Sequence, residues 1–197
     1  MTRVHDNLPG HGPGRRWAVS IFCSGRSGID GRHITLATQL GEELARHGYT
    51  VVTGGSRESS MGAVARAARA MGGHTLGVTV RLPAFDSHAD HEATLIYGRD
   101  LSDRKHSMEE VSDAFIMLAG GLGTLDELLH IWTGQTLGTH VKPLIIIDPN
   151  NLYQALRTQV EILQEQRLIT ATASDYPIWV ATVGEALKQL ESALAAR

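Results

Sequence analysis

Short apolar runs alternate along this chain with longer segments in which apolar residues recur at helical spacing. This is the pattern of a parallel sheet covered by helices on both faces. The runs predict strands at 17–23, 50–53, 74–80, 93–97, 114–118 and 143–147, with a late one at 176–180. The segments between them predict helices at 31–47, 61–71, 101–111, 124–137, 152–166 and 183–196. Three runs end in glycine-rich loops that lead toward helices: Ser24-Gly25-Arg26-Ser27-Gly28, Gly54-Gly55-Ser56 and Gly120-Gly121-Leu122-Gly123. In an open α/β sheet such loops lie at the carboxyl ends of the strands, where ligands bind at the reversal of strand order.

Composition narrows the classes. With 197 residues, 42% of them hydrophobic and 20% charged, the chain has the size of one globular domain with a substantial core. We read a single α/β domain over residues 17–197, preceded by a flexible tail at 1–16 that is rich in Gly, Pro, His and Arg and offers nothing to bury. The net charge of −3 and a pI near 6.3 argue against a nucleic-acid partner held by general positive charge. No apolar stretch approaches the length of a membrane span, and the N-terminus lacks the apolar core of a signal peptide, so the expected location is cytoplasmic, with no membrane partner. The single cysteine, Cys23, has no intrachain partner and reads as a small buried residue.

The stretch Ala119-Gly120-Gly121-Leu122-Gly123-Thr124-Leu125-Asp126-Glu127 follows an apolar run and opens a helical segment. Its glycines permit positive φ and leave backbone N–H groups open to an anion, and the helix that follows adds its unpaired amides and the positive end of its dipole. The pattern is neither the dinucleotide fingerprint nor a P-loop, because no G-x-G-x-x-G follows the first strand and no Gly-Lys-Ser/Thr follows the glycines. Thr124-x-x-Glu127 has the form of a capping box, in which Glu127 reaches back to the Thr124 N–H. The same acid also stands beside a phosphate-sized site. A carboxylate there suits a reaction that builds positive charge, such as cleavage of an N-glycosidic bond through an oxocarbenium-like ribose.

Together with Asp103-Arg104-Lys105, Met108 and Ser112-Asp113-Ala114-Phe115, this stretch resembles the two linked signatures of the Lonely guy (LOG) family, whose members are often mislabelled as lysine decarboxylases. The resemblance runs from about Ile21 to Ile147 and takes in Cys23-Ser24-Gly25, Thr53-Gly54-Gly55 and Met61-Gly62. It implies a Rossmann-like fold, a homodimer, and hydrolysis of nucleoside 5′-monophosphates, notably cytokinin riboside monophosphates and AMP, to free base and ribose 5-phosphate without a cofactor or metal. Arg104 and Glu127 are the catalytic residues it implies, with Gly120, Gly121, Gly123 and Thr124 on the phosphate. Ser24, Thr53, Gly54 and Asp126 are further candidates for substrate contact. Lys105 reads either as such a contact or as a partner of Glu109, four residues on. Two departures stand out: Ala119 replaces the family's proline, and Ser56-Arg57-Glu58-Ser59-Ser60 puts charges in a loop that is glycine-rich and mostly neutral in the family.

Other patterns carry other readings. Residues 86–92, Asp-Ser-His-Ala-Asp-His-Glu, have a metal-like composition but no second ligand cluster at a recognisable spacing, so they read as a mobile, solvated loop. A pyridoxal phosphate decarboxylase needs a Schiff-base lysine, and Lys105, Lys142 and Lys188 stand in no such setting. A non-catalytic carrier or sensor of a nucleotide or pterin cofactor would use the same glycine loops, and a pyrimidine nucleotide hydrolase would differ only in its base pocket. A single-stranded DNA-binding protein fits less well, because aromatic residues make up only 5% of the chain. The helix at 124–137 is apolar on more than one side through Leu128, Leu129, Ile131, Trp132 and Leu137, which suits either an interface or the interior. The identity of the base stays open.

Overall fold

A computed structural model describes residues 16–91 and 93–197. The tail expected at 1–16 therefore falls almost wholly outside the described residues. The elements run β1 (Ala18–Phe22), α1 (Gly31–Arg46), β2 (Thr50–Thr53), α2 (Ser59–Ala70), β3 (Thr75–Val80), α3 (Pro83–Asp86), β4 (Thr94–Gly98) and α4 (Leu101–Val111), then β5 (Ala114–Met117), α5 (Leu122–Thr136), β6 (Leu144–Ile147), α6 (Gln154–Glu165), α7 (Ala171–Ser174), β7 (Ile178–Val180) and α8 (Val183–Ala195). Every expected strand and helix is present, with ends shifted by at most two residues. The short helices α3 and α7 were not anticipated, since four residues carry no legible period.

The strands form one parallel seven-stranded sheet of order β4-β3-β2-β1-β5-β6-β7, a Rossmann-like arrangement. Their register is set at Val51 beside Thr75, Val78 beside Ile96, and Ile116 beside Ile145. The order reverses between β1 and β5, the place where such sheets bind ligands. Strands β1, β2, β5 and β6 are buried along their whole length, which is why they appear in the sequence as unbroken apolar runs rather than as alternation. The edge strands β4 and β7 are only half-buried.

By packing, the chain divides into two compact units. One holds the residues up to Ser20 together with Gly25–Asp113, and the other holds Ile21–Ser24 with Ala114–Arg197. In the first unit, polar residues at the strand ends are used structurally. Asp113 accepts the Ala18 N–H at 2.9 Å, and the hydroxyls of Ser20 and Ser112 pair at 2.8 Å in the buried interior. The Ser112-Asp113 part of the LOG-like signature is thus framework. In the second unit, Phe22 at the end of β1 stacks on Phe115 of β5 with ring centroids 5.7 Å apart, and the Leu118 N–H donates to the Phe22 carbonyl at 2.9 Å. The carboxyl end of β1 and the loop after β5 therefore belong to the same unit.

Candidate active site

The start of α5 decides between the two readings of Glu127. The helix starts two residues earlier than the sequence suggests: Gly121 is the N-cap, Leu122 the first helical residue, and the Leu125 N–H makes the first intrahelical bond, to the Gly121 carbonyl at 3.0 Å. Thr124 is then the third residue of the helix and Glu127 lies further along, so the expected capping box does not form. Glycine tolerates the cap position as well as threonine does, so the helix can begin at Leu122. The chain's capping box occurs elsewhere, between Thr182 and Glu185 at the start of α8.

Released from capping, Glu127 is a carboxylate only 5% exposed, one turn and a half inside the helix on its buried face with Thr124, Leu128, Ile131 and Trp132. Burying a carboxylate is costly, and a fold that does so has arranged compensation for it. Cys23, at the end of β1, feels that charge. Burial, and then the field of Glu127, push its thiol well above the ordinary range, so it is a protonated thiol and not a nucleophile.

The loop leading into α5 is held from below. Gly120 donates its N–H to the Tyr153 hydroxyl at 2.8 Å, and that hydroxyl lies 3.2 Å from both the Leu118 and the Gly120 carbonyl oxygens, either of which can accept its proton. A side chain at Gly120 would collide with Thr124, so glycine is needed there for close packing; none of Gly120, Gly121 and Gly123 has the positive φ expected of them. The amide of Gly120 is thereby used within the protein. Those of Gly121, Leu122, Gly123 and Thr124 lack intrahelical partners by helix geometry. Beyond Gly121 and Gly123 there is open space, with nothing within 4 Å of where a Cβ would stand. This is a helix N-terminus open to an anion, with a buried acid on the same helix.

Tyr153 was missed in the sequence. Its signal is the turn after β6: Asp148 accepts the Leu152 and Tyr153 N–H groups at 2.8 and 3.0 Å and so delivers the phenol under the loop. Burial is the main reason its hydroxyl is pushed up to about 12. A raised folded-state pKa contributes stability that is complete below the unfolded value near 10 and is lost as pH climbs through about 12. We expect the thermal midpoint of the wild-type protein to decline between those limits, and Tyr153→Phe to remove part of that decline while costing about 1–2 kcal/mol at neutral pH. Melting curves at a series of alkaline pH values check this; an unchanged slope in the variant would sink it.

The first unit holds Thr53, Gly54, Arg104 and Lys105. Arg104, on α4, is buried; its Nε donates to the Val78 carbonyl at 2.8 Å, and its guanidinium lies so close over Gly54 that any side chain there would strike it. Gly54 is thus a glycine because an arginine covers it. Thr53 is buried and its hydroxyl accepts the Gly55 N–H at 3.2 Å, which places it as a loop-forming residue. Lys105 is half-buried one position on. In the second unit Ser24 is half-buried, with its N–H on the Ala119 carbonyl at 3.2 Å, and Asp126 is exposed.

The charged loop that departs from the family pattern is occupied within its own unit. Arg57 donates to the Ser87 carbonyl at 3.3 Å, Glu58 lies 3.7 Å from the His88 ring, and the Arg57 N–H bonds the His88 carbonyl at 2.8 Å. The segment read as a mobile, solvated loop is correspondingly anchored: Ala89 bridges Ser56, and buried Asp90 pairs with both Arg69 guanidinium nitrogens at 3.0 and 3.2 Å. Two sequence oddities explain each other, since the extra charges of 56–60 serve residues 87–90. One strain remains in that loop. Ser59 has φ of 55°, a left-handed backbone that suits glycine, and its hydroxyl is buried without a hydrogen bond. Ser59→Gly is expected to stabilise the fold by about 1 kcal/mol, relief of strain outweighing glycine's entropy. Chemical denaturation measures it; a destabilised variant would contradict the strain.

A family model described as possible lysine decarboxylase matches residues 61–190. The chain is 41% identical over 173 residues to a cytokinin riboside 5′-monophosphate phosphoribohydrolase of Mycobacterium tuberculosis, covering 87% of this chain and 92% of that one. The chain belongs to the LOG family. A relative of the same name from Mycobacterium marinum is 38% identical over 177 residues, 89% of this LOG chain and 94% of the relative. The fold is shared more widely: the molybdenum cofactor binding protein of Rippkaea orientalis superposes with a TM-score of 0.69 over 92% of this chain and 99% of that one, at 19% identity. Of the lysines of this LOG protein, Lys105 is on α4, Lys142 stands before β6, at its amino end, and Lys188 is on α8.

Proposed function

We propose that this protein hydrolyses the N-glycosidic bond of a nucleoside 5′-monophosphate, a cytokinin riboside monophosphate or AMP-like nucleotide, releasing the free base and ribose 5-phosphate. The observation that carries the reading is the buried carboxylate of Glu127 on the helix whose open N-terminal amides begin at Gly121. Glu127 lies five residues beyond Leu122, about 7.5 Å of helix rise. The amides of Gly121 to Thr124 hold the phosphate dianion. As the bond from C1′ to the base nitrogen breaks, positive charge spreads over C1′ and the ring oxygen, and the Glu127 carboxylate stabilises it. Water adds its oxygen to C1′, and the departing base takes up a proton.

Arg104 is assigned to substrate binding in this reading, as a buried cation with a fixed fork of donors. The names of the curated relatives support the reaction class. A homodimer and a cytoplasmic location belong to the same reading; Leu122, Leu129 and Leu137 of α5 and its C-cap are exposed apolar residues that suit an interface, and among the described residues no helix is long and apolar enough to cross a membrane.

The test is a panel of nucleoside 5′-monophosphates incubated with purified protein, with released base and ribose 5-phosphate quantified. We expect stoichiometric release from adenine-type substrates. A non-catalytic carrier would bind the nucleotide and release nothing, and release from pyrimidine substrates alone would move the assignment to a pyrimidine hydrolase.

A further inference from the structure

A cavity of about 520 Å³ opens beyond the carboxyl ends of β6 and β7, lined by Asp148, Asn151, Arg157, Trp179, Glu185 and Gln189. It has the size of a small-molecule site. None of its lining residues belongs to the 118–127 loop and helix, and all of them lie in the second compact unit.

Its chemistry selects against anions. Asp148 and Glu185 outnumber Arg157 as charges. The N-terminus of α8 adjoins the cavity, but Glu185 already accepts the Ala181 and Thr182 N–H groups at 2.9 and 3.1 Å, and these bonds hold its carboxyl below the ordinary range. The helix end that would attract a phosphate is neutralised by its own acid. What remains is a polar lining with one aromatic ring. The Arg157 guanidinium sits 5.0 Å from the centroid of the Trp179 ring, and a guanidinium plane takes a second aromatic ring on its free face. The side-chain amides of Asn151 and Gln189 each offer a donor and an acceptor.

We propose that this cavity binds a flat, uncharged nitrogen heterocycle of the free-nucleobase class and that its occupancy weakens the phosphate loop. The link is short. Asp148 lines the cavity and holds the Leu152 and Tyr153 amides, and the Tyr153 hydroxyl holds Gly120. A ring amino group in the cavity competes with those amides for the Asp148 carboxylate and loosens Tyr153 under the loop. The consequence for turnover rests on the hydrolase reading, in which the free base is a product; the binding does not.

Tryptophan emission tests the site directly. Adenine is expected to quench the wild-type protein and to lose that quench in Trp179→Phe, with Arg157→Ala weakening its affinity about fivefold. AMP, added to Glu127→Gln to prevent turnover, should give no such quench. A quench retained in Trp179→Phe, equal affinity in Arg157→Ala, or AMP matching adenine would overturn the site. In the hydrolysis assay, adenine should raise the wild-type KM about fivefold and then level off, with kcat unchanged, and Arg157→Ala, unchanged without adenine, should escape this effect. A KM that rises without limit as adenine increases, as simple competition at the phosphate loop requires, would overturn the coupling. A wild-type protein that releases no base would instead count against the hydrolase reading, and the fluorescence arm would still decide the cavity.

Discussion

Glu127→Gln is expected to fold like the wild type and to turn over about a thousandfold more slowly. Glutamine has the volume and shape of glutamate, so the packing against Thr124 and Leu128 on the buried face of α5 is kept. No capping bond is lost, because the cap is Gly121 and carries no side chain. Glutamine also keeps a carbonyl acceptor at the place of one carboxylate oxygen, so the buried position still offers a hydrogen-bond acceptor. The melting temperature should therefore move by no more than about 2 °C. Turnover depends on the charge and not the shape: a neutral amide cannot offset a positive ribosyl carbon. The variant removes the lesser of the two causes that raise the Cys23 thiol, while burial, the larger, remains. Full turnover in a folded Glu127→Gln protein would return the acid to a structural role.

Removal of the substrate's 5′-phosphate is expected to lower kcat/KM by a factor of about 10²–10³. Hydrogen bonds to a charged group contribute about 1.5–3 kcal/mol each, and the geometry offers the amides of Gly121 to Thr124 after Gly120 is taken by Tyr153. Two such bonds lost, offset in part by water, amount to roughly 3–4 kcal/mol, or two to three powers of ten in rate. Matched pairs of nucleosides and their 5′-monophosphates measure this, and inorganic phosphate should compete with the monophosphate alone. Equal rates within each pair would take the glycine loop out of substrate recognition.

The alternation of apolar runs with helical segments was sufficient to place every strand, the inner ones because parallel strands buried on both faces have to be continuously apolar and the half-buried edge strands β4 and β7 because each still carries a short apolar run. It placed the glycine loops at the strand ends for the same reason. It failed where the choice was local and finely balanced. Thr124 and Gly121 are both good caps, and the packing of Leu128, Ile131 and Trp132 against the interior chose the register that starts at Leu122. A shift of two residues changed Glu127 from a capping acid into a buried one.

By itself, then, the sequence determined the α/β class, the positions of the strands and helices, and the LOG signatures around Arg104 and Glu127, since each depends on residues near one another in the chain. Only the tertiary structure decided that Tyr153 holds Gly120, that Arg57 and Glu58 serve residues 87–90, that Arg104 covers Gly54, and that Asp148 joins a second cavity to the loop. Those pairings bring together residues 30 or more positions apart in most cases. No periodicity or motif encodes them, because they follow from which loops the sheet sets side by side.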